Sequence, residues 1–264
     1  MTRAPFKETE SKRPDFDAQA GFQYTKSPNP NWKLGQGANS DEWKLHKKLL
    51  IDPHGDGRSL VDNYKTFISG ILPRPVGFVS TIGENGVKNL APFSYFQVVN
   101  NDPPIFAVGF STVDGVFKDT AQNLFDTQEL TINIISEWFV EAANVTSTFA
   151  PSHVDEWELS GLTPAASSVV KPPHVAESAF SVEAKVLHHH EWNSSKDPSK
   201  VTGTLFLVEG VRIHVREDVI NEDKNTIDID KLKPVSRLGG ITYGRTITGY
   251  EIPRPDYLSL DDLR

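Results

Sequence analysis

The residues best equipped for chemistry lie in four short stretches. In the first, Ser111 is followed by Lys118-Asp119-Thr120. Pro104 to Ser111 reads as a strand, and Asp119 or Thr120 can cap a helix that continues to about Phe125. A helix N-terminus offers unpaired N–H groups and the positive end of its dipole. With one ammonium and two hydroxyls beside it, the result is a phosphate-sized anion site. The same pattern also describes an ordinary capped helix after a strand. The second stretch, Pro73 to Phe96, puts Ser80, Thr81, Asn89 and Ser94 where a core hairpin would carry aliphatics. In the third, Arg237-Leu238-Gly239-Gly240 with Tyr243, paired glycines allow either close approach of a ligand or a tight turn, and the Arg can bind an anion or a carboxylate. The fourth, His188-His189-His190, alternates faces in a strand, so at most two of its rings look the same way. A metal- or haem-binding barrel would need further histidines from elsewhere, and no metal site is assigned.

These groups need elements to position them. Asn85-Gly86 is a strong hairpin signal between Val76–Ile82 and a return strand over Val87–Phe96, in which Pro92 predicts a bulge or a sheet edge. Strands are also expected at Glu129–Ser136, Phe180–His189, Thr202–Val215 (with a bulge at Gly210) and near Ile247–Ile252. Asn63–Ile71 precedes the hairpin as a short helix or strand. Glu137–Thr148 is a candidate amphipathic helix with Trp138, Phe139, Ala142 and Val145 on one side. A short helix capped by Asp41 carries Trp43, Leu45, Leu49 and Leu50, which are expected to pack on the main domain or to cover a ligand in the same or a neighbouring subunit. Strands linked by hairpins, with few helices, predict a mainly β fold: an antiparallel barrel with flanking helices.

Composition narrows the function. The chain has 264 residues, 18 Pro and 18 Gly, favouring strands and turns over long helices. A net charge of −8 argues against nucleic acid or an anionic membrane as the main partner, so an anionic ligand needs local donors. With no Cys, thiolate nucleophiles, disulfides and cysteine-held metals are excluded. There is no G-x-S-x-G elbow, no dinucleotide fingerprint and no P-loop. The polar N-terminus shows no signal-peptide core, and no apolar run approaches the roughly 20 residues of a membrane helix, so a cytoplasmic protein is expected.

In order along the chain, Pro73-Arg74-Pro75-Val76, Val79-Ser80-Thr81, the Asn-Leu-Ala-Pro-Phe-Ser of 89–94, Asp102-Pro103-Pro104, Lys118-Asp119-Thr120 with Asn123, and Arg237-Leu238-Gly239-Gly240 with Tyr243 resemble the flavin reductase-like family of FMN-binding split barrels. That family includes flavoredoxins and the reductase components of two-component monooxygenases. The resemblance, over roughly residues 60–250, implies a six-stranded antiparallel Greek-key split barrel and a homodimer with FMN near the interface. It implies that Ser80, Thr81, Asn89, Leu90, Ala91 and Ser94 line the isoalloxazine and ribityl side, that Ser111, Lys118 and Thr120 hold the phosphate, and that Arg74 and Arg237 to Tyr243 lie near the ring or the dimer contact. The implied activity is that of an oxidoreductase: NAD(P)H reduces FMN, and electrons pass to oxygen, an acceptor or a partner monooxygenase. The alternative is a flavin store or electron carrier without turnover. The expected organisation is an N-terminal extension over 1–58, the split-barrel domain over 59–255 and a tail over 256–264. The extension and a Pro-rich segment at 151–175 depart from compact family members and are placed to cover the flavin face.

Overall fold

The computed structural model describes residues 5–257; most of the tail expected at 256–264 lies outside them. The chain divides into two compact units, one formed by 1–37 and 247–264, the other by Ala38–Thr246. In the first unit, Gln23–Tyr24 pairs in parallel with Thr248–Gly249, so the strand expected near Ile247–Ile252 is present but two residues long.

The second unit is built on seven antiparallel strands: β1 (Gly77–Ile82), β2 (Lys88–Phe93), β3 (Phe96–Asn101), β4 (Pro104–Ser111), β5 (Glu129–Ile134), β6 (Phe180–Asn193) and β7 (Val201–Val215). Their order is β2-β1-β5-β6-β7-β4-β3. Strands β2 and β3 are consecutive in the chain but sit at opposite edges of the sheet, with only Ser94 and Tyr95 between them. Three Cα–Cα steps span at most about 11 Å, so the sheet must curl until its edges nearly meet. The Gly109 N–H donates to the Tyr95 carbonyl at 2.7 Å just beyond the junction. The fold is therefore mainly β, with seven strands in place of six. The expected return strand over 87–96 breaks at Ser94–Tyr95, and its end becomes the start of β3.

The β1–β2 register runs without a shift from Gly77↔Phe93 to Ile82↔Lys88. Pro92 causes no bulge there, because β2 is an edge strand and its missing N–H costs no ladder bond. A register shift does occur at Gly210 to Arg212 in β7. A Cβ on Gly210 would lie 3.0 Å from both Phe106 and Val182.

Helix α1 (Leu60–Gly70) is started by a reciprocal capping box between Ser59 and Asp62. Helix α2 (Asp119–Thr127) follows β4 as expected, but Lys118 is the cap residue and makes no side-chain cap bond. The amphipathic helix expected over 137–148 is a 3₁₀ turn at Glu137–Phe139 followed by α3 (Val140–Val145). Its buried side is Phe139 and Ala143, while Trp138 and Val145 stay largely exposed. Helix α4 (Glu156–Ser160) is capped by Asp155, whose carboxylate accepts the Trp157 N–H. Glu42–Leu45 forms a 3₁₀ turn, and Trp43, Leu45, Leu49 and Leu50 are exposed rather than packed on the barrel.

Both faces of the sheet near β1 are covered. Val79, Phe93, Val108, Leu124, Ile132 and Phe206 fill the barrel interior. Phe78, Leu90, Phe139, Trp157 and Val175 form a second cluster outside it. Strand β5 alternates apolar and polar residues, yet its polar face is dry: Thr131 and Asn133 are fully buried. They form a seam with Ser181 and Glu183 of β6 that holds the segment 168–175. Thr131 donates to the Pro173 carbonyl (2.9 Å), and Asn133 Oδ1 accepts from the Val175 N–H (2.9 Å) and Ser181 Oγ (2.7 Å). Glu183 accepts from Ser168 N and Oγ, Val169 N and Val170 N at 2.6–2.9 Å, with His214 Nε2 at 2.6 Å. Burial pushes the Glu183 carboxyl up, but the bonds from Ser168, His214 and Val170 outweigh it and hold the group well below the usual carboxylate range.

Glu183 should therefore dominate the acid side of the stability curve. Glu183→Ala strands several buried donors at about 1–3 kcal/mol each, so the unfolding free energy in urea at pH 7 should fall by about 3 kcal/mol or more. The depressed carboxyl stabilises above its ordinary value of 4.5 and loses that contribution as pH falls toward its folded value. The gap between wild type and variant should narrow below pH 4.5; a gap independent of pH would refute the assignment.

Candidate functional site

A cleft opens beside the place where the two sheet edges meet. Two adjoining cavities, of about 370 and 390 Å³, share Pro92, Phe93, Val113, Lys118, Ser147 and Phe149. Together they are within the size range of sites that bind cofactors. Pro92 and Phe93 come from edge strand β2, and Lys118 stands at the start of α2. A tight turn, Val113 to Val116, closed by reciprocal backbone bonds of 3.0 and 2.9 Å, forms the rim. Its Asp114 and Gly115 adopt positive φ of 51° and 82°.

The structure gathers seven of the expected residues here. Ser94, Ser111 and Arg237 line one cavity, Asn89, Ala91 and Thr120 the other, and Lys118 both. The Lys118 ammonium lies 5.6 Å from the centroids of Phe93 and Phe149. No carboxylate pairs with it among the described residues, and burial lowers its pKa. Asn89 Nδ2 donates to Thr120 Oγ1 at 2.8 Å, and Asn123 Nδ2 donates to Thr81 Oγ1 at 3.0 Å. These bonds tie the start of α2 to the β1–β2 hairpin. They use Thr120 as an acceptor, so its hydroxyl proton remains available to the cleft.

The other four stand behind the walls. Ser80 and Leu90 are opposite one another in register and fully buried on the outer face of the hairpin with Phe78. Thr81 is buried on the inner face beneath Asn89 and Asn123. Arg74 is buried and acts as a tie. Its guanidinium donates to the carbonyls of Ile68, Ile71 and Leu238 and to Ser94 Oγ, joining α1, the 237–240 loop and the β2–β3 junction. The backbones of Arg74 and Arg237 bond reciprocally at 3.0 and 2.9 Å. Arg237 lies over the Tyr243 ring at 4.4 Å and donates to the Gly240 carbonyl. Tyr243 in turn donates to Asn144 Oδ1 at 3.0 Å.

Several wall residues carried no sequence signal. Tyr64 and Ile68 of α1, Asn144 of α3, and Ser147 and Phe149 after it, complete the first cavity. Glu156 of α4 lines the second; its carboxylate accepts the Leu90 N–H at 3.3 Å, and burial pushes its pKa up, with Asp119 adding to the rise. His189 packs edge-on against Phe125 at 5.0 Å, and among the described residues no group of three or more His, Asp or Glu is disposed to hold a metal. No described helix is long and apolar enough to cross a membrane.

The cleft combines an apolar wall with one half-buried cation beside an uncapped helix start. That suits a flat ligand bearing an anionic end. Known proteins are similar to this chain over most of its length. The sequence pattern of the flavin reductase like domain matches residues 69–229. An uncharacterized protein of Aquifex aeolicus is 36% identical over 189 residues, covering 71% of this chain and 90% of that one. The protein YwrF of Bacillus subtilis is 32% identical, covering 76% and 97%. Among solved structures, nitrilotriacetate monooxygenase component B from Bacillus cereus superposes with a TM-score of 0.73 at 33% identity, covering 78% of this chain and all of that one. The flavoredoxin of Desulfovibrio vulgaris, at 22% identity and a TM-score of 0.56 over 71% of this chain and 92% of that one, shares the split-barrel fold.

The tie at Arg74 can be tested without any ligand. Arg74→Ala should lower stability by about 3 kcal/mol, since it removes charge-assisted bonds worth about 1.5–3 kcal/mol each. Arg74→Lys should recover only part of the loss, because an ammonium cannot reproduce the planar fork. Equal stability of Arg74→Ala and wild type in urea would show that the tie is dispensable.

Proposed function

This chain belongs to the flavin reductase-like family, and from that premise we propose that it is an FMN-binding oxidoreductase, reduced by NAD(P)H and delivering electrons to oxygen, another acceptor or a partner monooxygenase. The observation that carries the reading is Lys118: an ammonium half-buried between Phe93 and Phe149, free of any carboxylate pair among the described residues, at the uncapped start of α2. An acidic protein must answer about two phosphate charges locally, and this is where its cleft does so. The likeness to a monooxygenase component at 33% identity supports a partner monooxygenase as the acceptor.

The residues present fit the cofactor. Lys118, the Thr120 hydroxyl and the first N–H groups of α2 would hold the phosphate. Ala91, Pro92 and Phe93 would supply the flat apolar wall for the ring, with Ser94, Ser111 and Arg237 as polar contacts along the cleft. Ser80, Thr81, Leu90 and Arg74 act from behind, keeping the hairpin and the β2–β3 junction rigid. FMN, when bound, supplies the two-electron redox chemistry. The protein orients it, shields it from water and leaves one side accessible, so no catalytic acid or base of the chain is assigned. The exposed apolar residues of α1 (Leu60, Val61 and Phe67), with Ile71 just after it, flank Tyr64 at the cleft wall and support a homodimer with the site near its interface.

Titration of flavin fluorescence gives the first check. Lys118→Ala should weaken FMN binding by about 1.5–3 kcal/mol, the loss of a charged hydrogen bond; an unchanged Kd would remove Lys118 from the phosphate site. Anaerobic mixing of the FMN-loaded protein with NADH and with NADPH gives the second. Bleaching of the flavin absorbance is expected with one of them. A flavin still oxidised after minutes with both would leave a store or carrier in place of a reductase.

A further inference from the structure

The second cavity surrounds Lys118 with acids. Its lining carries the carboxylates of Asp114, Asp119 and Glu156 and no further cation. Space does not end there. A third cavity of about 280 Å³ shares Asn89 and Asp119 with the second and continues past Lys88, Gln122 and Asn123. It too is acidic, with Glu84, Asp119 and Asp126 against Lys88. A ligand longer than one phosphate would have room, but every added phosphate would move among carboxylates.

Glu156 stands where the second cavity is lined by Asn89, Asp119 and Thr120. Its placement is firm. The Asp155 cap fixes the first turn of α4, the neighbouring Trp157 is buried in the outer core, and the Glu156 carboxylate is held on the Leu90 N–H at 3.3 Å. Only 5% of the residue is exposed, so little solvent screens its charge from a ligand in the cleft.

We propose that Glu156, which lines the second cavity beside Asp119, is a specificity residue that restricts the ligand to a flavin ending in a single phosphate, so that FMN is accepted and the diphosphate of FAD is repelled. The proposal rests on the flavin reading above and adds its charge selectivity. Lys118 and the α2 N-terminus answer the first phosphate; the carboxylates oppose a second, and like charges brought together in an interface strongly disfavour the wrong ligand.

Equilibrium titration of the full-length protein with riboflavin, FMN and FAD tests this. Wild type should bind FMN at least about 100-fold more tightly than FAD. Glu156→Gln keeps an acceptor for the Leu90 N–H but removes the charge. It should shrink the FMN-over-FAD preference by about tenfold or more, chiefly by tightening FAD, and leave riboflavin unmoved. Glu156→Asp keeps the charge and should keep the preference, which guards against a packing artefact in the Gln variant. A preference unchanged in Glu156→Gln, or a loss of preference equal in Glu156→Asp, would overturn the assignment, as would a wild type that binds FAD as tightly as FMN. A wild type that binds none of the three would instead overturn the flavin reading itself.

Discussion

The two-residue link between Phe93 and Phe96 is the constraint on which the rest of this structure depends. It joins strands that the hydrogen-bonding order places at opposite edges of one sheet. Such a link forces closure without permitting it to be complete: Ser94 and Tyr95 occupy the gap where a continuous ladder would run. The barrel is therefore split at a defined place, and the cleft lies beside that split. Arg74 reinforces it by anchoring Ser94 to α1 and to the 237–240 loop. The site is thus a product of topology first and of side chains second.

A second constraint works on the outer face. Thr131, Asn133, Ser181 and Glu183 project from adjacent strands and are fully buried. Buried polar groups are costly unless bonded, and here the segment 168–175 supplies the partners. The chain leading into that segment carries α4, which brings Trp157 into the outer core and Glu156 to the cleft. Attachment of the wrap and shape of the site are consequently one structural problem.

Much of this was legible in the sequence where local chemistry decides. Asn85-Gly86 announced the β1–β2 hairpin, and Lys118-Asp119-Thr120 marked where α2 starts, although neither Asp119 nor Thr120 caps it. The seventh strand was not legible: Ser94-Tyr95 carries neither Gly nor Pro, and the break there is imposed by closure of the sheet. The buried side of 137–148 was misjudged because the 3₁₀ start shifts the phase, so that Phe139 and Ala143 face inward while Trp138 lies under Arg216 at 5.0 Å. Nothing local marks Glu183 or Glu156 as buried, since their partners are 13 or more residues away. Within the hairpin, strand alternation alone separates Ser80 from Thr81, yet only the register shows that both faces are buried.

The two edges of the split sheet also differ in what they offer a neighbouring backbone. Along β2, Pro92 has no N–H and the Leu90 N–H is already taken by Glu156. Along β3, Gln97 to Asn101 are exposed, Val98 and Val99 more than half so, and among the described residues β3 has a strand on one side only. Unpaired edges are templates for strand addition. Main-chain augmentation of this sheet therefore has a direction: it can extend from β3 and not from β2, so the edge that walls the cleft stays free of added strands.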